Sequence, residues 1–218
     1  MELTDYIKEI FDERNFNLAR SFQATKLNPW YKTYTEDLPS VLKKLVNKLE
    51  EAKIKDSYKY EGSIGAGKRA EVFWFGCRHP ELALTWSDGF YIVYLLSSDG
   101  KRLYLSLILG TEIIASTTEL EIKSHLLEQE KNRITADLKA VAGGSDGLDL
   151  STFDFGNIKL GCSPLAKAYE IASILNIMYD SKDGAPSQEQ LENDLSNFLV
   201  VYKRCRFIYS GKKVPNRK

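Results

Sequence analysis

Apolar residues recur at helical spacing towards both ends of the chain and fall into strand-like runs between them. Leu3, Tyr6, Ile7, Ile10 and Phe11 lie on one face of an amphipathic helix predicted over residues 2–13. Asn28-Pro29 and Asp37-Leu38-Pro39 punctuate the next stretch. Val41, Leu42, Leu45, Val46 and Leu49 then predict a second helix over residues 38–53. From Ser57 the period changes. Tyr58 to Ile64 lead into Glu71–Cys77, a run rich in β-branched and aromatic residues. Phe90–Ser97 and Arg102–Leu109 read as two further strands, joined by a turn with Asp99-Gly100 at its tip. In the second of these, Leu103, Leu105, Leu107 and Leu109 point one way and Tyr104 and Ser106 the other.

Helical spacing returns after Thr117-Thr118, which can cap a helix over residues 119–141 with Leu120, Leu126, Leu127, Ile134 and Leu138 as its buried stripe. Gly143-Gly144 breaks it. Leu148–Leu160 has strand composition. Ser163-Pro164 fits an N-cap with proline at the first helical position, and the helix is expected to run on to Met178. A last helix opens at Ser187, with Leu191, Leu195, Phe198, Leu199 and Tyr202 on one side. Helices before and after a meander of three or four strands make an α+β fold, not a Rossmann alternation. The expectation is a single domain: an antiparallel β-meander sheet flanked by N-terminal and C-terminal helices. Residues 1–56 form a helical region packed on it, and residues 57–218 carry the sheet and a basic C-terminal helix and tail.

Composition narrows the classes. A chain of 218 residues can bury roughly 70% of its unfolded surface. No apolar run approaches the ~18 residues of a membrane span, and the amphipathic, acidic N-terminus does not read as a signal peptide. The three cysteines have no CxxC spacing, so a reduced, cytoplasmic chain is expected. Two histidines are too few for most histidine-rich metal sites, and no metal is expected. The 30 basic and 30 acidic residues cancel overall. Yet Leu195–Lys218 holds seven basic residues and no acidic one, leaving 23 basic against 30 acidic elsewhere, or −7. Such an end reads either as a phosphate-binding surface or as a solvated tail.

Gly62–Arg69 nearly spells the phosphate loop G-x-x-x-x-G-K-[ST], but Arg69 replaces the magnesium-binding hydroxyl. The residues after it read as a strand, whereas a phosphate loop runs into a helix whose N-terminus faces the anion. The glycines instead predict a tight loop with positive φ angles, and Lys68 and Arg69 beside it suit close approach to a nucleic-acid backbone. Glu121-Ile-Lys123 matches half of a metal-dependent nuclease site, but it lies in a segment of helical period where those residues are ordinarily solvated. Trp74, then Tyr91 and Leu95 four apart on one strand, and Phe153 and Phe155 later, are strand aromatics and neighbours that are either core or a binding surface.

Gly65–Cys77, Ser87–Gly110, Phe155–Ser163 and Phe198–Pro215, taken in order, resemble the N-terminal domain family of McrB-type restriction proteins, the MrcB-like N-terminal domain. The resemblance runs from about Ser57 to Lys218. It implies a DNA-binding recognition module, not an enzyme, of a modification-dependent, type IV-like restriction system used in defence. Such modules read modified cytosine, such as 5-methylcytosine, in double-stranded DNA by rotating the base out of the duplex into a pocket. The implied partners are a C-terminal AAA+ motor that hydrolyses GTP and a separate nuclease subunit. GTP and magnesium are expected only with that motor, because no phosphate loop of the motor type is written in this chain, which reads as an excised or a free-standing domain.

Carried onto this sequence, the family pocket corresponds to Trp74, Leu95 and Phe155, with Tyr91 at its mouth. Trp74 and Phe155 would sandwich the base. Gly65, Ala66 and Gly67 would approach the groove, with Lys68, Arg69, Lys212 and Lys213 on the backbone. Members can carry an aromatic between the glycines to fill the hole left in the duplex; Ala66 cannot. Lys68 or Arg69 substitutes, base flipping works differently, or the activity is altered. Two rivals stand beside this reading: a protein–protein interaction module without DNA binding, and a nuclease using Glu121 and Lys123.

Overall fold

The computed structural model describes residues 1–50, 58–110, 120–142 and 149–209. Five strands lie in chain order across one antiparallel sheet: β1 (Lys59–Ala66), β2 (Lys68–Arg78), β3 (Phe90–Leu96), β4 (Arg102–Leu109) and β5 (Ser173–Asp180). The β3–β4 turn is closed by Asp99, whose carboxylate accepts from the Ser97 hydroxyl, the Lys101 N–H and the Arg102 guanidinium. Gly100 takes a φ of 72° there, which costs glycine nothing.

The two-residue period gives the sheet two faces. On one, the register aligns Phe73, Phe75 and Cys77 of β2 with Leu96, Tyr94 and Ile92 of β3, and these with Leu103, Leu105 and Leu107 of β4. Helices α1 (Leu3–Phe11), α2 (Glu13–Ser21) and α3 (Leu38–Leu49) and the final helix α6 (Gln188–Tyr209) cover this face. Tyr34, in a π-helical turn over Thr33–Asp37 that runs into α3, packs edge-on to Phe73 and Phe75. Phe75 stacks on Tyr94 at 4.6 Å. One continuous core joins Leu3 of α1 to Tyr209 of α6, so the N-terminal helices and the sheet share a single domain.

The opposite face carries Trp74, then Tyr91, Val93 and Leu95, then Tyr104, Ser106 and Ile108, as the same alternation requires. Helix α5 (Pro164–Ala172) and the segment leading into it lie on this side, and α4 (Leu120–Ala142) packs against α5 and β5. Both faces are therefore covered at β3, which is buried along its whole length.

Two expectations are corrected, and one helix is added. The helix after Ser163 stops at Ala172, and Ser173–Asp180 is β5, paired along β4. The apolar run there suits either period, and the open edge of β4 decides it. A separate helix, α2, follows α1, with Asp12 accepting the Asn15 N–H at its start. The 148–160 stretch forms no strand in its described part, residues 149–160; a β-bridge pairs Asp154 with Asn176. The caps were legible: the Ser163 hydroxyl accepts the Ala166 N–H and Ser187 accepts that of Gln190. Thr117 and Thr118 lie outside the described residues.

Candidate nucleic-acid interface

The glycine segment is the tip of the β1–β2 hairpin. Gly65 pairs with Arg69 and Ala66 with Lys68, after a register slip at Ser63. Gly65 and Gly67 take φ values of 116° and 72°. A Cβ on Gly65 would lie 2.2 Å from the Lys68 carbonyl oxygen, so only glycine closes this turn. Ala66, Gly67 and Lys68 are exposed. The chain leaves the tip directly into strand β2 and not into a helix. Ala24 bridges to Gly67, and the Gln23 side-chain carbonyl accepts the Arg69 N–H, bracing the tip from below.

Beside this hairpin, on the second face of the sheet, Trp74, Tyr91, Val93, Leu95, Ile108 and Tyr169 surround a small hollow that Trp86 closes. Gly76, opposite Val93 in the register, adds no side chain to the floor beside Trp74. The walls come from three adjacent strands and α5; Trp86 alone comes from a loop, residues 79–89. Its ring centroid lies 4.9 Å from that of Trp74 and 5.2 Å from that of Tyr91. Its indole N–H donates to Glu61 on β1 at 2.5 Å, and the Arg78 guanidinium sits over its ring. The remaining space is about 30 Å³, room for a water or two. Burial pushes the Tyr91 hydroxyl pKa well up, with Tyr169 and Asp88 adding to it, and burial raises Tyr169 too. Both phenols therefore stay protonated and able to donate to an acceptor.

The loop bearing Trp86 is firmly anchored. Asp88 accepts from the Leu84 and Thr85 N–H groups and the Thr85 hydroxyl. At its ends, the buried Tyr202 hydroxyl of α6 accepts the His79 N–H at 2.9 Å and donates to the Phe90 carbonyl at 2.8 Å. Arg206, one turn on, pairs with Glu81.

The structure thus brings Trp74, Tyr91 and Leu95 together. It does not bring Phe155 to them. Residues 154–156 are held against β5, where the Asn176 amide donates to the Asp154 and Gly156 carbonyls. β5 lies three strands from β2, roughly 14 Å at ~4.8 Å per strand. Phe155 instead carries the Lys139 ammonium over its ring. The ring that faces Trp74 is Trp86. Tyr91 is buried and lines the hollow. Val93 follows from the alternation of Tyr91 and Leu95, and Ile108 from hairpin register. A tryptophan inside Thr85-Trp86-Ser87-Asp88-Gly89 was the available sign of Trp86; Tyr169 had none.

A wider groove of about 580 Å³ adjoins this face, lined among others by Arg102, Asn157, Lys159, Cys162, Lys167 and Glu170. The Tyr104 hydroxyl, on the strand opposite Leu95, accepts the Lys159 N–H and ties the groove to the pocket. The groove wall is set by two buttressing carboxylates. Glu71 accepts the Cys162 and Ser163 N–H groups, and Glu170 those of Leu160 and Gly161. Burial raises both carboxyls, but these donated bonds, with Arg20 near Glu71 and Lys167 beside Glu170, outweigh it and hold both below the usual range. Folding depresses these pKa values, so the stabilisation is complete above their ordinary value of 4.5 and is lost as pH falls through the folded values. The midpoint of urea unfolding should therefore fall between pH 6 and pH 3.5; an unchanged midpoint would show that the buttresses contribute nothing.

The basic end is partly neutralised. Lys203 pairs with the buried Glu50 and Arg206 with Glu81. Lys212 and Lys213 lie outside the described residues. Glu121 and Lys123 fall on helix α4, not on a strand. Among the described residues, no cluster of three or more His, Cys, Asp or Glu is placed to hold a metal, and no helix is long and apolar enough to cross a membrane.

No curated protein matches the chain. The profile of the MrcB-like N-terminal domain matches residues 13–206, from the start of α2 to the last turn of α6 and through every strand described above. With an exposed glycine hairpin, an aromatic hollow and a basic groove on one covered sheet, the chain belongs to the MrcB-like N-terminal domain family and is a DNA-binding module of a restriction system.

Proposed function

We infer that this module reads a modified cytosine, such as 5-methylcytosine, in duplex DNA by accepting the extruded base against Trp74. The observation that supports the reading is the aromatic hollow itself, on a sheet that also carries an exposed hairpin with Lys68 and a groove with Arg102, Lys159 and Lys167. Extrusion costs a few kcal/mol and is offset by stacking and pocket contacts. A base on an aromatic face gains ~1–3 kcal/mol. The 5-methyl group adds only about 0.8 kcal/mol from apolar contact, so selectivity needs close walls; Val93, Leu95 and Ile108 supply them. Phosphates would follow the hairpin and groove, and Lys68 or Arg69 would approach the gap that Ala66 is too small to fill. The module itself performs no chemistry in this reading and needs no cofactor; a GTP-hydrolysing motor and a nuclease of the same system would act on the DNA it marks.

The test is binding of methylated and unmethylated duplexes of one sequence at one salt concentration, because phosphate contacts alone make affinity salt-dependent. Tighter binding of the methylated duplex is expected. Equal affinity across sequence contexts would remove the base-reading role while leaving DNA binding intact.

A further inference from the structure

A base sandwiched between two rings needs about 7 Å between them, twice the ~3.5 Å contact distance. The Trp74 and Trp86 ring centroids are 4.9 Å apart, with the planes inclined at 49°. Nothing fits between them, and the hollow that remains is about 30 Å³, far below the ~300 Å³ at which ligand sites begin. The Trp86 indole therefore occupies the position over Trp74 that a base would take.

Which wall can yield follows from where each is mounted. Trp74, Tyr91, Val93, Leu95 and Ile108 stand on paired strands, and Tyr169 on α5. Trp86 stands on the turn that Asp88 organises. Besides its ring contacts with Trp74 and Tyr91, its side chain has two outer holds among the described residues: the N–H on Glu61 of the edge strand β1, and the Arg78 guanidinium. Neither belongs to the core, and Glu61 is exposed.

We propose that Trp86 is a self-docked surrogate for the base, which an extruded pyrimidine must displace from Trp74, so that Glu61 and Trp86 set the threshold for base capture. This rests on the base-reading role above. The Asp88 turn keeps its backbone while the indole rotates away, breaking the hydrogen bond to Glu61. The cost of displacement falls equally on any base, modified or not. Trp86 therefore sets how readily the pocket fills, and the strand-borne walls set which base is preferred.

The test uses the full chain and a duplex carrying 5-methylcytosine beside a fluorescent adenine analogue that brightens when its neighbour unstacks. Two indoles this close couple electronically and give a paired circular-dichroism signal. That signal should be present in the free protein, absent in Trp86→Ala and in Trp74→Ala, and lost from the wild type on saturation with the methylated duplex. Trp86→Ala should raise the extruded fraction of methylated and unmethylated cytosine by the same factor, about 2- to 12-fold, the equivalent of an aromatic contact of ~0.5–1.5 kcal/mol. Glu61→Ala keeps the indole and loses only its tether, so it should shift extrusion the same way by a smaller factor. Extrusion with the coupled signal intact would overturn the surrogate role and leave base reading standing. Absence of extrusion in the wild type and in both variants would overturn the two together.

Discussion

A Trp74→Ala protein should bind methylated and unmethylated duplexes alike. The indole is the broadest flat surface on the sheet face of the hollow, and losing one base stack costs ~1–3 kcal/mol, a factor of roughly 5 to 150 in affinity. That loss falls on each duplex in proportion to how far its base is extruded, so it is largest for the methylated one, and without extrusion the walls have no base to discriminate. The hairpin tip and the groove cations are untouched, so the residual binding should keep its dependence on salt. The fold should survive, because Trp74 is only half-buried and the neighbouring Phe73 and Phe75 point into the opposite core. Dissociation constants for the two duplexes, read with a thermal melt of the variant, check the claim. A folded variant that still prefers the methylated duplex in full would place the base elsewhere.

Tyr202→Phe should destabilise the domain by about 2–6 kcal/mol, though it removes a single oxygen. The Tyr202 side chain is fully buried, and its hydroxyl serves two backbone groups, the His79 N–H and the Phe90 carbonyl. Phenylalanine fills the same space and leaves both unpaired, at ~1–3 kcal/mol each. For a chain of this size that corresponds to a fall of roughly 4–24 °C in Tm. A loss under about 1 kcal/mol in urea unfolding would mean that water reaches these groups and replaces the hydroxyl. The substitution also frees the ends of the Trp86 loop, so the coupled indole signal should weaken before the rest of the structure melts.

Sequence pattern carried the α+β class, the meander and the hairpin registers, because those follow from local period and turn chemistry. Asp99-Gly100 between two alternating runs fixes which residues of β3 and β4 share a face, and hence that Tyr91, Leu95 and Ile108 are neighbours. What it could not carry is long-range pairing. Ile174 to Met178 satisfies a helical stripe as well as a strand, and only the free edge of β4 selects between them. Phe155 shows the same limit. Its aromatic character was visible, but its position depends on the Asn176 amide holding Asp154 and Gly156 on the far strand. Trp86 is not legible for the converse reason: a turn sequence does not say what its tip will touch.

The last helix has a further consequence. Tyr202 and Arg206 grip His79, Phe90 and Glu81 from a single helical face, with no intervening loop to absorb slack. A small rotation of that rod about its own axis would pull on both roots of the Trp86 segment in concert. Torque applied to one end of the molecule would thus reach the mouth of the hollow along a rigid lever rather than through diffuse softening.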